Sequence, residues 1–408
     1  MYKCHSNSNR SNPFLLLQEI LMRFGQMYLA MCQPMSSHRK VMEDIMRCRT
    51  EAMGKGYREY CSRCQETHVF YHGCGNRFCP NCRWNQKKAW CREMMKRLPK
   101  CSYSLYSLII PTELHAVFYS NQKVMYGLLR KSGAEAIMEY AKDVRFLGGL
   151  PVVLGLLQTW NNRLDYHPHC HFIVSNGGCA HSGYGEWVNP RNRKHWIPTK
   201  QVMFRAKEIF LKHLWKERPD LYPMVNKIMQ KRHWKYDCQP YGDFGVDHAT
   251  NLKKLVRYVK RDALAGHRII SIDDVNVSIR YKDSSGQYVT ERINAVTYIQ
   301  KYMWHVLPKN FHQAESYGLA HSSKSRQLKK VRQQFESKCR NGGGVIDAWQ
   351  NSEPVNDETS MSNNLSSRCG RCGSQTLKSN REFFENPFVR RQPYFSYTPR
   401  APDIPPLN

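Results

Sequence analysis

Apolar positions divide the chain into stretches of different period. Leu16, Ile20, Leu21 and Phe24 recur at helical spacing, as do Val41, Ile45 and Met46, so residues 10–50 are predicted to be helical. From about 100 to 330 the pattern alternates between strand and helix. Ser102 to Ile110, Val152 to Trp160 and His169 to Val174 read as strands, and Asn121 to Tyr140 reads as a helix. Ile269 to Tyr281 and Tyr288 to Ile293 predict a β-hairpin around Asp283-Ser284-Ser285-Gly286. Leu252, Leu255, Val256, Val259 and Ala263 form the apolar stripe of one more helix. Lys253, Lys254, Arg257, Tyr258, Lys260 and Arg261 lie on its other side. No segment repeats at a fixed period.

Charge adds a partner class to this outline. The 408 residues carry 62 Lys+Arg against 33 Asp+Glu, a net +29. Such a surplus points to a polyanion, nucleic acid before anionic membrane. Residues 341–408 hold seven basic and seven acidic side chains, so the whole excess lies ahead of Asn341-Gly342-Gly343-Gly344. Beyond that break the chain is rich in Asn, Ser, Glu and Thr and ends in Pro and aromatics, the composition of a flexible tail. The pattern divides the chain at 10–98 (helices and a cysteine-rich segment), 100–335 (the alternating segment) and 340–408 (the tail). The longest apolar run, Pro151 to Leu157, is far short of the roughly 20 residues that span a bilayer. Phe14 to Leu17 is broken by Gln18 and Glu19 and does not read as a signal peptide. The 16 cysteines are therefore expected to be reduced, and clustered ones to bind metal.

Cys61-x2-Cys64 is followed by Cys79-x2-Cys82, two knuckles that together suit a closed, structural tetrahedral zinc site. Cys74, His68 and His72 lie between the pairs and leave room for a permuted ligand set. The rim is basic, Arg77 included, as expected of a zinc ribbon that touches nucleic acid. Cys369-x2-Cys372 is a separate pair in the tail, with Cys339 the only other cysteine nearby, and is left unassigned.

In Tyr166-His167-Pro168-His169-Cys170-His171-Phe172-Ile173-Val174, strand alternation puts His169 and His171 on one face and Cys170 and Phe172 on the other. Two imidazoles side by side can hold a divalent cation. His167, Gln158 and Asp262 are candidates for a third ligand. Tyr258 stands among cations that favour phenolate, and a nearby metal would polarise a phosphate for its attack. Trp304, Phe311 and Tyr317 read as core rather than base-stacking residues. Lys324 to Arg332 reads equally as a DNA-contacting helix or a solvated face.

Taken together, the chain resembles rolling-circle transposases of the HUH type, specifically the insertion-sequence "ninety-one" family with its N-terminal zinc-binding domain. The resemblance rests on Cys48-Arg49-Thr50, Cys74-Gly75-Asn76-Arg77-Phe78-Cys79-Pro80-Asn81-Cys82 and Pro111-Thr112-Glu113-Leu114. It continues through Phe146-Leu147-Gly148-Gly149, Thr159-Trp160, His167-Pro168-His169-Cys170-His171, Arg257-Tyr258, Arg268-Ile269-Ile270 and His305-Val306-Leu307-Pro308-Lys309. It implies an α+β fold: an antiparallel sheet with flanking helices, preceded by a small zinc ribbon and N-terminal helices. It also implies a catalytic Mg2+ or Mn2+ on His169 and His171, with Tyr258 as nucleophile. Lys254 stands where some members carry a second tyrosine, so the chain resembles the single-tyrosine branch. The implied activity is nicking and rejoining of single-stranded DNA at element ends through a 5′-phosphotyrosine, with Arg257, Lys260 and Arg261 on phosphates. That activity belongs in a prokaryotic cytoplasm, associated with the nucleoid. A plasmid replication initiator or relaxase of the same chemistry is one alternative. A non-catalytic zinc-dependent DNA-binding protein is another.

Overall fold

The computed structural model describes residues 13–181, 185–190, 196–231, 234–241, 268–283, 285–341 and 381–385. Helices α1 (Pro13–Cys32) and α2 (Ser36–Arg47) lead into β1 (Lys55–Cys61), β2 (Glu66–Tyr71) and α3 (Pro80–Arg97). Next come β3 (Tyr103–Ile109), α4 (His115–Ser120), α5 (Gln122–Lys142), β4 (Gly149–Trp160), β5 (Tyr166–Ala180) and β6 (Trp187–Val188). Then follow α6 (Thr199–Glu217), α7 (Tyr222–Lys231) and β7 (Lys235–Tyr241). After the undescribed stretch 242–267 come β8 (Ile269–Ile272), β9 (Asn276–Lys282), β10 (Tyr288–Asn294), α8 (Ala295–Met303), β11 (Ala314–Gly318) and α9 (Ser325–Asn341). Strand β12 (Arg381–Glu385) completes the described elements.

The central sheet is antiparallel throughout, in the order β11-β4-β5-β3-β7, with the short β6 on β5. Helices cover both faces, so the fold is α+β. Alternation along β5 decides what each face does. Cys170, Phe172 and Val174 enter a core with Leu108, Val153 and the apolar sides of α5 and α6. Contact there is close: a Cβ on Gly133 of α5 would lie 2.4 Å from the Phe172 ring. Ile173 enters the opposite core with Leu105, Leu154, Leu156, Met94 of α3, Leu98 at its C-terminal cap, and Leu328 and Val331 of α9. His169 and His171 share that second face.

Two smaller antiparallel sheets flank the centre, β10-β9-β8 and β12-β1-β2. The first shares a core with α1, α2 and α8: Ile20, Leu21, Met42 and Ile45 pack with Val277, Ile279, Tyr298 and Ile299. Residues far apart in the sequence thus close one apolar unit around the N-terminal helices.

Several elements differ in extent from the sequence expectation. The histidine strand reaches back through Pro168, because β5 there has passed the end of β3 and a bulge interrupts its pairing with β4 between Gln158 and Trp160. The expected strand Ile269 to Tyr281 breaks into β8 and β9, because Asp273 Oδ1 accepts from the amides of Val275 (2.9 Å) and Asn276 (2.8 Å) and turns the chain. The turn at Asp283 falls where expected, with Asp283 Oδ1 accepting from the Ser285 and Gln287 amides. Five residues of the expected tail form β12 on β1, pairing Glu59 with Arg381 and Lys55 with Glu385. The helix expected to carry Tyr258, Arg257, Lys260 and Arg261 falls outside the described residues, as do Asp262, Cys369 and Cys372. No helix among the described residues is long and apolar enough to cross a membrane.

Candidate active site and metal centre

His169 and His171 come together as alternation requires, their Nε2 atoms 3.1 Å apart. The other ring nitrogens are engaged. His169 Nδ1 lies 2.7 Å from the His167 carbonyl oxygen, which only accepts, so Nδ1 carries the proton and Nε2 presents a lone pair. His171 Nδ1 lies 2.7 Å from Ser107 Oγ on the neighbouring strand, in register with it. With Nδ1–H donated to Ser107, both Nε2 lone pairs converge, the arrangement that orients metal-binding histidines. Bond lengths of ~2.1 Å to one cation would make the 3.1 Å separation an angle of about 95°, so the pair fits a cation.

Burial favours the neutral, ligating form. His169 is held down to about 4 by desolvation, partly countered by its bond to the His167 carbonyl. His171 is held well below its usual value by burial and by His169 beside it. Gln158 is buried opposite His169 in register. The His167 ring centroid lies 5.4 Å from that of His169. Two of the three candidate third ligands are thus near the pair.

His115, at the start of α4, was not evident in the sequence. Its ring meets His167 edge-on at 5.6 Å, and burial, with His167 beside it, holds it down to about 4. Its Nε2 is buried with no hydrogen-bond partner among the described residues. The motif Pro111–Leu114 stops one residue short of it.

The described residues on either side of 242–267, Tyr241 and Arg268, meet this sheet and its β4–β5 turn. Tyr241 closes β7 opposite Tyr103. Arg268 donates to the carbonyl of Asn162, in the β4–β5 turn at the histidine end of the strands. Tyr258 precedes Arg268 by ten residues in the sequence.

The cysteine centre has a different membership from the expected one. Cys48, Cys74, Cys79 and Cys82 place their sulfurs within 4.8 Å of one another. Cys48–Cys82, Cys74–Cys82 and Cys48–Cys79 separations are 3.6, 3.7 and 3.5 Å. A tetrahedron with Zn–S bonds of ~2.3 Å has edges of ~3.8 Å, so the four thiols fit one zinc ion. Amides of Cys74 and Gly75 point at the sulfurs of Cys48 (3.5 Å) and Cys82 (3.2 Å). Hydrogen bonds from the other three thiols push Cys82 down toward thiolate.

Cys79 and Cys82 keep their expected place, whereas Cys61 and Cys64 do not join them. The β1–β2 hairpin carries that pair out at its turn, while α2 delivers Cys48 at its C-terminal cap. Gln18 of α1 fixes that cap, donating to the carbonyls of Ile45 (3.1 Å), Met46 (2.7 Å) and Cys48 (3.1 Å). Gly73 is needed beside the thiols: a Cβ there would stand 2.8 Å from Cys82 Sγ.

Arg77, expected on DNA, is turned inward. It donates to the carbonyls of Pro308 (2.7 Å), Leu307 (3.2 Å) and Phe311, and lies over the Phe78 ring at 4.9 Å. It clamps the cysteine segment to the loop before β11. Tyr302 adds a bond to the Phe78 carbonyl. His305 is likewise structural, its two nitrogens bonded to Thr159 Oγ1 (3.2 Å) and the Leu164 carbonyl (3.1 Å). Phe311 is buried and Trp304 and Tyr317 pack against the same core, as expected.

Comparison with known proteins agrees with the cysteine centre. The family described as "Transposase zinc-binding domain" matches residues 20–108, and the family described as "Putative transposase" matches residues 153–327. The chain is thus similar to transposases of the insertion-sequence "ninety-one" family in both segments. It is 27% identical over 328 residues to "Putative transposase y4qJ" of Sinorhizobium fredii (strain NBRC 101917 / NGR234), covering 76% of this chain and 80% of that protein. It is 23% identical over 286 residues to "Transposase for insertion sequence element IS801" of Pseudomonas savastanoi pv. phaseolicola, covering 67% and 68%. No solved structure matches. Similarity to transposases implies binding to DNA, and the charge of +29 suits that partner.

Proposed function

We propose that this transposase nicks and rejoins single-stranded DNA by transesterification, with Tyr258 as nucleophile beside a divalent cation on His169 and His171. The observation that carries the reading is the facing pair of Nε2 atoms, 3.1 Å apart and each backed at Nδ1. Mg2+ or Mn2+ bound there supplies Lewis acidity at the scissile phosphate. Ser107 and the His167 carbonyl hold the two rings in register for that phosphate.

The Tyr258 phenol oxygen forms a bond to phosphorus as it gives up its proton. The bond from phosphorus to the 3′ oxygen breaks, and that oxygen leaves as a protonated 3′-OH. The 5′ side stays linked as phosphotyrosine. Ester energy is conserved in that link, so attack by a 3′-OH rejoins the strand without nucleotide hydrolysis. Arg257, Lys260 and Arg261 neutralise neighbouring phosphates. With Lys254 at the position where some relatives of the resembled family carry a second tyrosine, each protomer makes one such link at a time.

The test incubates the full chain with single-stranded and duplex oligonucleotides from the element's ends, with Mg2+ or Mn2+. The expected result is a metal-dependent nick of the single strand and a covalent adduct. The adduct should be absent in Tyr258→Phe, and nicking absent in His169→Ala, with DNA binding retained in both. Undiminished nicking by Tyr258→Phe removes that residue from the mechanism. No nick from the wild type on any strand favours a DNA-binding protein without catalysis.

A further inference from the structure

The stretch Lys324 to Arg332 reads from sequence as either a DNA contact or a solvated face, and its packing shows which side is free. Leu328 and Val331 of α9 enter the core on the sheet face that also carries His169 and His171, and Phe335 meets the Trp187 ring edge-on at 5.1 Å. Gln334 donates to the Gly185 carbonyl at 2.8 Å, so the β5–β6 turn holds the helix as well. The opposite side leaves Lys324, Arg326, Lys329 and Lys330 exposed. Among the described residues no carboxylate pairs with any of these four, and Glu336, the one acid of α9, is taken by Arg332 at 3.3 Å.

Helix α3 lies on the same face through Met94 and Leu98 at its cap, and it carries six Lys or Arg against Glu93 alone. Lys96, Lys100 and Arg332 line one depression between the two helices. Helices α5 and α6 cover the other face of the sheet with nine Lys or Arg against four Glu, and there Arg205 pairs with Glu139 and Glu208, and Arg130 with Glu315. The α3–α9 side is therefore the more basic of the two, which suits a phosphate backbone. Among the described residues neither α3 nor α9 exposes a large aromatic ring: Phe335 is packed on Trp187, and Trp90 against the core. Single strands are held largely by rings on which bases stack, whereas a duplex needs only cations on its phosphates. Along β5 the eight residues from His171 to Cys179, which pairs with Trp187 beside α9, span about 26 Å. That is roughly eight base pairs of duplex rise.

We propose that the α3–α9 face binds duplex DNA through its phosphates, without reading sequence, as a second DNA site remote from the histidine pair. Lys324, Arg326, Lys329 and Lys330 supply its contacts on α9. The site needs neither Tyr258 nor a bound divalent cation, so duplex binding and nicking can fail separately.

The test measures binding of the full chain, zinc retained and no Mg2+ or Mn2+ added, by anisotropy across a salt series. The probes are a labelled duplex of about 20 base pairs and a single strand of the same length. Lys324→Ala/Arg326→Ala/Lys329→Ala/Lys330→Ala should weaken duplex binding at least ~10-fold and lower the slope of log K against log salt by about 3, equally for duplexes of unrelated sequence. The loss for the single strand should be smaller. Removing four exposed lysines from the other face, in Lys123→Ala/Lys131→Ala/Lys212→Ala/Lys216→Ala, should keep the wild-type slope. A readout that needs no variant is acetylation of the wild type, in which bound duplex should protect Lys329 and Lys330 and leave Lys212 and Lys216 reactive. Unchanged duplex binding in the α9 variant overturns the proposal. So does an equal loss for the single strand, an equal loss in both lysine variants, or acetylation of Lys329 and Lys330 that bound duplex does not slow.

Discussion

Replacing Arg77 by Ala separates an internal clamp from a DNA contact. The guanidinium serves three carbonyls, of Leu307, Pro308 and Phe311, and two of those residues are buried. Each buried carbonyl that loses its donor costs about 1–3 kcal/mol, and the ring contact with Phe78 adds about 0.5–1 kcal/mol. Allowing for water reaching the Pro308 carbonyl, the loss is about 3 kcal/mol, roughly a 150-fold rise in local opening. Hydrogen exchange of the amides between Trp304 and Gln313 reads this directly. The Phe311 amide, bonded to the Pro308 carbonyl at 3.1 Å, is the best single probe. Arg77→Lys should fall between, since one ammonium cannot span all three acceptors in a fixed plane. Unchanged protection in Arg77→Ala, together with weaker DNA binding and a shallower salt dependence, would refute the clamp and restore Arg77 to the DNA surface.

Ser107→Ala removes the partner of His171 Nδ1, and the affinity for Mn2+ measured by titration should fall about 10–100-fold, with nicking recovered at high metal; an unchanged metal dependence would remove Ser107 from a positioning role. Gln18→Ala strips the donor from three carbonyls at the end of α2, and zinc transfer to a chelator should accelerate about 10-fold or more; wild-type release kinetics would show that Cys48 is held without it. Gly133→Ala pushes a methyl into Phe172 and Leu108 and should cost about 1–3 kcal/mol in denaturant titration, while an unaltered midpoint would mean that α5 moves away freely.

The strand period made the histidine pair legible, because two-residue alternation fixes the face of His169 and His171 whatever the sheet around them. The same logic located β3, β4, α5 and the turn at Asp283. The zinc ligands were only half legible. Two C-x2-C pairs invite joining, but only the fold shows that the β1–β2 hairpin leads one pair away and that α2 brings Cys48 in from outside the run. Arg77 misled for a related reason. A positive residue beside a metal knuckle looks like a phosphate contact, and nothing local reveals that three carbonyls more than 200 positions later will face it. His115 was illegible because its neighbours in space, Tyr166 and His167, lie on another element. Residues 10–50 showed their helical period, yet the strands that close their core come from beyond residue 268.

The central claim is that one phenol oxygen becomes bonded to DNA next to the histidine pair. Mass spectrometry of the peptide cross-linked to a cleaved single-stranded oligonucleotide tests it most directly. The account predicts a phosphodiester on Tyr258, formed with Mg2+ or Mn2+ and absent from His169→Ala/His171→Ala. Linkage at a different residue, or cleavage that leaves no covalent peptide, would contradict it.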